Sequence, residues 1–342
     1  MRAAVIHPPH VLRIEDVAED TAGPHGVTVR VRNGGICGSD LHYYHHGGFG
    51  TVRVQQPMIL GHEVAGVVIA IGTAVTRVKP GDRVAINPSL PCNACRYCLE
   101  GAQQHCLDMR FYGSAMRLPH VQGGFRELLV CDESQAVPAD MPLEHAAFAE
   151  PLSVCLHAVR QAGPMLGRRV LVVGAGPIGV LCAMVARHAG AREIVITDLL
   201  DAPLALARKA AADRTINVAT DDGAMAEYGA DKGYFDIAFE ASGSPPGVAS
   251  ALAAVRPGGT LVQVGLGGAE TPLAMNMVVS KEITLRGTFR FHAEFDMAVA
   301  LLARGAIDVA PLLTEIVPLA EAERAFALAT DRRRAMKVQL AL

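Results

Sequence analysis

Four side chains of metal-binding type stand in three short stretches: Cys37 in GGICGSD, His62 and Glu63 in GHEVAGVVIAIG, and Glu150 in FAEP. Thiolate, imidazole and carboxylate bind zinc, and a catalytic zinc takes three protein ligands and keeps one position open. A His-Glu pair alone is ordinary. It is not the zincin helix motif either, because Gly66, not a histidine, follows His62 one helical turn on. The setting is more specific. The run reads G-H-E-x2-G-x5-G, and Cys37 lies in a second glycine-rich turn. It points to a zinc held by Cys37, His62 and a carboxylate from Glu63 or Glu150.

Cys92, Cys95, Cys98 and Cys106 follow with the spacing C-x2-C-x2-C-x7-C. Four thiolates saturate a tetrahedral zinc and leave no open position, so this second zinc is structural. An iron–sulfur cluster is the chemical rival. The lobe, residues 91–107, has few apolar side chains, so metal binding supplies most of its order. Cys131, Cys155 and Cys182 stand in apolar surroundings and read as small buried hydrophobes.

A third chemistry is written in RRVLVVGAGPIGVLCAMVARHAGAREIVITD. Gly174, Gly176 and Gly179 form G-x-G-x-x-G between an apolar strand and a helix, with Pro177 and Ile178 inside the turn and Asp198 closing the next strand. That is a dinucleotide site: Gly176 lets the backbone approach a pyrophosphate, and the helix N-terminus offers free N–H groups to it. Asp198 can accept from both ribose hydroxyls. No Arg or Lys follows within the next turn, which favours NAD while leaving NADP possible.

These groups need two scaffolds. The first ninety or so residues read as mostly β, with VTVRVR alternating apolar and polar and VAGVVIAIG and GDRVAI as further strands. A helical stretch, LEHAAFAEPLSVCLHAVRQAG, is interrupted at Pro151. Alternating strands and helices follow, including a helix from Asp222, and predict a parallel doubly wound sheet. KVQLAL has no place in a completed six-stranded sheet, so it returns to the first domain. The expected fold is α/β: a mostly-β catalytic domain split over 1–148 and 288–342, with a Rossmann cofactor domain at 149–287.

At 342 residues and a net charge of -3, the chain shows no basic run that would ask for nucleic acid or an anionic membrane. The apolar run from Val170 to Ala186 is broken by GAGPIG and is short for a membrane span. MRAAVIHPPH is too interrupted for a signal peptide, so a cytoplasmic protein is expected.

Together these residues resemble the zinc-dependent medium-chain dehydrogenases, in the polyol and threonine dehydrogenase branch. The resemblance covers the whole chain. The G-H-E signature, the four-cysteine lobe and GPIG carry it, and GGICGSDLHYY, FAEPL and GTFRF resemble sugar-acid members. It implies a GroES-like catalytic domain, NAD or NADP, two zincs per chain, a sugar-acid or polyol substrate, and a homodimer or homotetramer. By the same resemblance Ser39 stands beside the reacting oxygen, His42 relays a proton to solvent and Tyr43 touches substrate. Glu150 takes the place of a cysteine ligand in classical alcohol dehydrogenases. Val264 and Gly265 line the nicotinamide, and Arg290, with Arg110 as a second candidate, meets a substrate carboxylate. His45 and His46 read as a polar surface turn. The motifs do not separate sugar acids from sorbitol, xylitol or threonine, and fold alone would also permit a non-enzymatic NAD-binding sensor.

Overall fold

A computed structural model describes residues 1–221, 223–268 and 270–342. The chain forms two compact units. The first comprises Met1–Ser153, His292–Asp331 and Lys337–Leu342, and the second Val154–Phe291 and Arg332–Met336.

In the first unit the alternating run becomes β1 (Gly26–Gly35), where Val27, Val29 and Val31 are buried. A turn leads to α1 (Gly38–His46). The G-H-E run becomes β2 (Glu63–Ile71), antiparallel to β1, with Gly35 opposite Glu63. Next come β3 (Arg83–Ile86), β4 (Leu128–Asp132) and β5 (Ala136–Pro138). His45 and His46 lie in the last turn of α1, so the expected surface turn is helical. The helix ends at Gly47, whose φ of 66° closes it in the left-handed conformation.

α2 (Ala149–Ala162) starts just before Pro151 and runs through it, contrary to the expected interruption. Proline in a first helical turn sacrifices no intrahelical hydrogen bond, because those N–H groups have no partner anyway. Glu150 lies in the same turn.

The second unit is built on β6 (Arg169–Val173), α3 (Pro177–His188), β7 (Glu193–Asp198), α4 (Asp201–Ala210), β8 (Arg214–Asn217), β9 (Phe235–Glu240), α5 (Pro245–Ala254), β10 (Val255–Gln263) and β11 (Thr284–Gly287). All six strands are parallel, in the order β8-β7-β6-β9-β10-β11. Leu171, Val195, Phe235 and Leu261 are buried in its core. Each such side chain contributes roughly 1.5–3 kcal/mol through removal of apolar surface from water. Of the helix expected from Asp222, the first residue lies outside the described residues, and a short helix is present at Ala226–Gly229.

The chain then adds α6 (Glu294–Ala303), β12 (Leu313–Pro318), α7 (Ala322–Thr330) and β13 (Lys337–Ala341). β13 pairs with β12 and with β1, placing Gln339 opposite Gly35. The large sheet of the first unit reads β5-β3-β2-β1-β13-β12, with β4 also paired to β1. Among the described residues no helix is long and apolar enough to cross a membrane.

Candidate metal centres and cofactor turn

Cys37 precedes α1, and His62 precedes β2, which Glu63 opens, so the β1–β2 pairing brings the two turns together. The sulfur, an imidazole nitrogen and a carboxylate oxygen of Cys37, His62 and Glu63 all lie within 4.8 Å of one another. Asp40 holds this geometry. It is fully buried, one oxygen accepts the Cys37 N–H at 2.9 Å, and the other accepts the Gly61 N–H at 3.1 Å. Gly61 itself has φ 94°, and a Cβ there would stand 2.2 Å from the Phe125 ring. Only glycine permits the turn that aims His62.

Lys337, from β13, puts Nζ 2.8 and 2.7 Å from the two Glu63 oxygens and also donates to the Ile36 carbonyl at 3.2 Å. Burial works against the lysine charge, but Glu63 more than offsets it, so the ammonium titrates above its ordinary 10.5. The acids lean the other way. Burial, with Glu63 beside it, pushes the Cys37 thiol up to about 12. Burial, with Glu63 and Cys37 adding repulsion, raises Glu150 to about 8, and burial raises Asp40.

The residues fit a zinc ion. His62 Nδ1 is buried without a hydrogen-bond partner, and its nearest carboxylate oxygen, on Asp40, is 3.8 Å away. Burial and mutual repulsion disfavour the charged forms of these acids, and a cation among them would favour those forms. Zinc and Lys337 together balance the charges of Cys37, Glu63 and Glu150. Asp40 brings a further negative charge, which two backbone N–H groups meet.

Ser39 stands beside Cys37, and its hydroxyl favours the thiolate form of that sulfur. His42 is exposed on α1, its ring 6.0 Å from that of His46; partial burial and His46 hold it below its ordinary 6.5. Tyr43 is 2% exposed, and its hydroxyl accepts the Ala115 N–H at 3.1 Å. It therefore anchors the 108–122 segment, with little surface left for a substrate. Phe111 of that segment lies 5.6 Å from the His62 ring, a wall residue that sequence reading did not single out. Arg110 is exposed beside it on a short strand paired to Ser89–Leu90.

The four-cysteine lobe is closed by local turns. Sulfur–sulfur distances are 3.6 Å for Cys95–Cys98 and 3.4 Å for Cys92–Cys106. A tetrahedral zinc with four thiolates at about 2.3 Å has edges of roughly 3.8 Å. Backbone N–H groups already favour thiolates: Leu107 donates to Cys95 and holds it at about 6, while Cys92 and Asp108 both donate to the Cys106 sulfur. Burial drives Cys98 up to about 12.

In the second unit β6 ends at Val173, Gly174 follows it, and Gly176 caps α3 with Pro177 as its first residue. Gly179 packs so tightly that a Cβ would meet the Gly174 carbonyl at 1.9 Å. Ile178 presents its carbonyl to the Cys155 thiol at 3.4 Å. Val264 and Gly265 both donate their N–H groups to the Glu240 carbonyl at 2.8 Å, fixing the loop after β10. Arg290 takes φ 51° and stacks its guanidinium 5.0 Å over the Phe289 ring.

At Asp198 no Arg or Lys follows within the next turn, and the cation comes from much further along the chain. One oxygen accepts Ala175 N–H at 2.7 Å and Arg332 Nη2 at 2.6 Å, and the other accepts Leu199 and Leu200 N–H at 2.8 and 3.1 Å. Of the groups missed in sequence, Asp40 left a trace, since its position three after Cys37 is capping-box spacing. Lys337 and Arg332 left none, because strand return and not spacing brings them in.

An alcohol dehydrogenase GroES-like domain model matches residues 23–142, and a zinc-binding dehydrogenase model matches residues 177–304. The chain is 46% identical to L-idonate 5-dehydrogenase (NAD(P)(+)) of Escherichia coli, covering 92% of this chain and 91% of that one. It is 39% identical to a probable D-xylulose reductase A of Aspergillus terreus, over 93% and 91%. The crystal structure of the Escherichia coli L-idonate enzyme superposes with a TM-score of 0.95 at 42% identity, covering 100% of this chain and 98% of that chain. The chain belongs to the zinc-dependent medium-chain dehydrogenase/reductase family, in its polyol dehydrogenase branch.

Proposed function

We propose that the protein interconverts L-idonate and 5-ketogluconate with NAD or NADP. The observation that carries the chemistry is the cluster of Cys37, His62 and Glu63 within 4.8 Å, with the orphaned His62 nitrogen beside it. The likeness to an L-idonate 5-dehydrogenase over nearly the whole chain supports the substrate. Cys37, His62 and Glu63 hold the catalytic zinc, Glu150 is the neighbouring carboxylate able to replace Glu63, and the four-cysteine lobe holds the structural zinc.

Zinc there, when bound, stabilises the deprotonated form of a substrate hydroxyl. This chain's own residues do the rest. Ser39 takes the hydroxyl proton and His42 delivers it to solvent. Phe111 shields the reacting group from water. Gly174–Gly179, Asp198, Val264 and Gly265 hold the dinucleotide whose nicotinamide accepts the hydride. Arg290 meets the sugar-acid carboxylate by charge-assisted hydrogen bonds. In the Arg290→Ala variant, turnover of L-idonate should fall more than that of sorbitol; an equal fall would remove the carboxylate role.

We also propose a cytoplasmic homodimer or homotetramer with no nucleic-acid or membrane partner. β11 is exposed along its length at one edge of the six-stranded sheet, and Leu285, Met275 and Val279 nearby expose apolar surface. Unpaired edges of this kind invite pairing across a two-fold. Light scattering on the eluting protein should give a dimer or a multiple of one, and Leu285→Lys should dissociate it.

The substrate test is reduced-nicotinamide formation with L-idonate, D-gluconate, sorbitol, xylitol and L-threonine, using each cofactor. Preference for L-idonate is expected. Preference for sorbitol or xylitol would retain the zinc and cofactor sites and discard the sugar-acid pocket.

A further inference from the structure

We infer that Arg332 is the binding group for the 2′-phosphate of NADP, and that its exchange between Asp198 and that phosphate lets one site accept both cofactors. The inference rests on the nicotinamide reading of the glycine turn. An acid at the end of the second strand of a dinucleotide fold accepts from the ribose 2′-hydroxyl of NAD and repels a phosphate placed there. Here the acid is not left to repel. Its side chain is buried, yet Arg332 Nη2 sits 2.6 Å from Oδ2.

The arginine comes from far along the chain. The residues after Asp198 are Leu199, Leu200 and Asp201, which offer no cation. Arg332–Met336 instead crosses back into the second unit, while Asp331 and Lys337 on either side stay with the first. Arg332, Arg333 and Arg334 are consecutive and exposed, so this crossing carries concentrated positive charge.

The hydrogen bonds give the exchange a direction. Without Arg332, Asp198 keeps three backbone donors, from Ala175, Leu199 and Leu200. It therefore remains satisfied as a charged group when the guanidinium turns away. With NAD, the hydroxyl joins that set. With NADP, the phosphate lies one bond beyond the hydroxyl oxygen, within the sweep of a half-exposed guanidinium that already touches the same carboxylate. Arginine matches phosphate with two parallel N–H donors, which suits it better than lysine for this role.

The test is calorimetric titration of the zinc-replete protein with NAD and with NADP, for wild type, Arg332→Ala and Arg332→Lys. Wild type should bind both. Arg332→Ala should weaken NADP by about 10- to 100-fold, the scale of a lost charge-assisted contact, and change NAD by less than about threefold. Arg332→Lys should recover part of the NADP affinity, and all three should melt cooperatively. Equal weakening of both cofactors, or unchanged NADP binding in Arg332→Ala, overturns the inference. Wild type that binds NAD and not NADP overturns it too, leaving the nicotinamide reading intact, whereas wild type that binds neither overturns both.

Discussion

Glu63 is 1% exposed and meets an ammonium, Lys337 Nζ, at 2.7 Å. Removing one partner of such a buried pair strands the other charge, at a cost of about 3–5 kcal/mol. Lys337→Met should therefore lower the melting temperature markedly, and adding Glu63→Gln should restore part of it; an unchanged melt in the single variant would remove the pair from the account. Because the folded Lys337 titrates above 10.5, its stabilisation is complete at neutral pH and is lost as pH rises through that higher value. His42 runs the opposite way. Its folded value lies below 6.5, so it is neutral and able to accept a proton at pH 7. Oxidation should fall on the acid side with an inflection below 6.5. His42→Gln should abolish that inflection and slow turnover by roughly 10-fold or more. An unaltered pH profile would exclude the relay. At this scale the sequence pointed to the side chains that cluster in the fold, because Cys37, His62 and the four lobe cysteines sit in local motifs. It hid Lys337 and Arg332, whose partners lie 274 and 134 residues away.

The elements work as positioning devices. β1 and β2 align two turns, Asp40 ties α1 to the turn at Gly61, and at position 61 only glycine clears the Phe125 ring. Gly61→Ala should cost about 1–3 kcal/mol for the left-handed backbone, with the 2.2 Å clash added, and should reduce zinc at the Cys37 site more than in the lobe. Retention of full metal and rate would show that the turn tolerates a side chain. Strand alternation in β1 and the strand–turn–helix at Gly174 were legible because their periodicity is local. The passage of α2 through Pro151 was not, because a proline signals a break unless the helix start is known to within a residue or two.

Across the whole molecule, the order of elements foretold that the terminal strand would leave the parallel sheet. β13 pairs with β1, some three hundred residues earlier, and delivers Lys337 to Glu63 as it does so. What no local pattern announced is that the preceding crossing, Arg332–Met336, joins the other unit and sets an arginine on Asp198. The central claim is that two chemically different zinc sites share one chain, and that the one at Cys37 performs the reaction. The direct measurement is zinc content per chain, with turnover on the same samples, for wild type and Cys37→Ser. Wild type should hold about two zincs; Cys37→Ser should keep about one, in the lobe, and lose activity. A Cys37→Ser protein with its full metal and full rate would contradict the account.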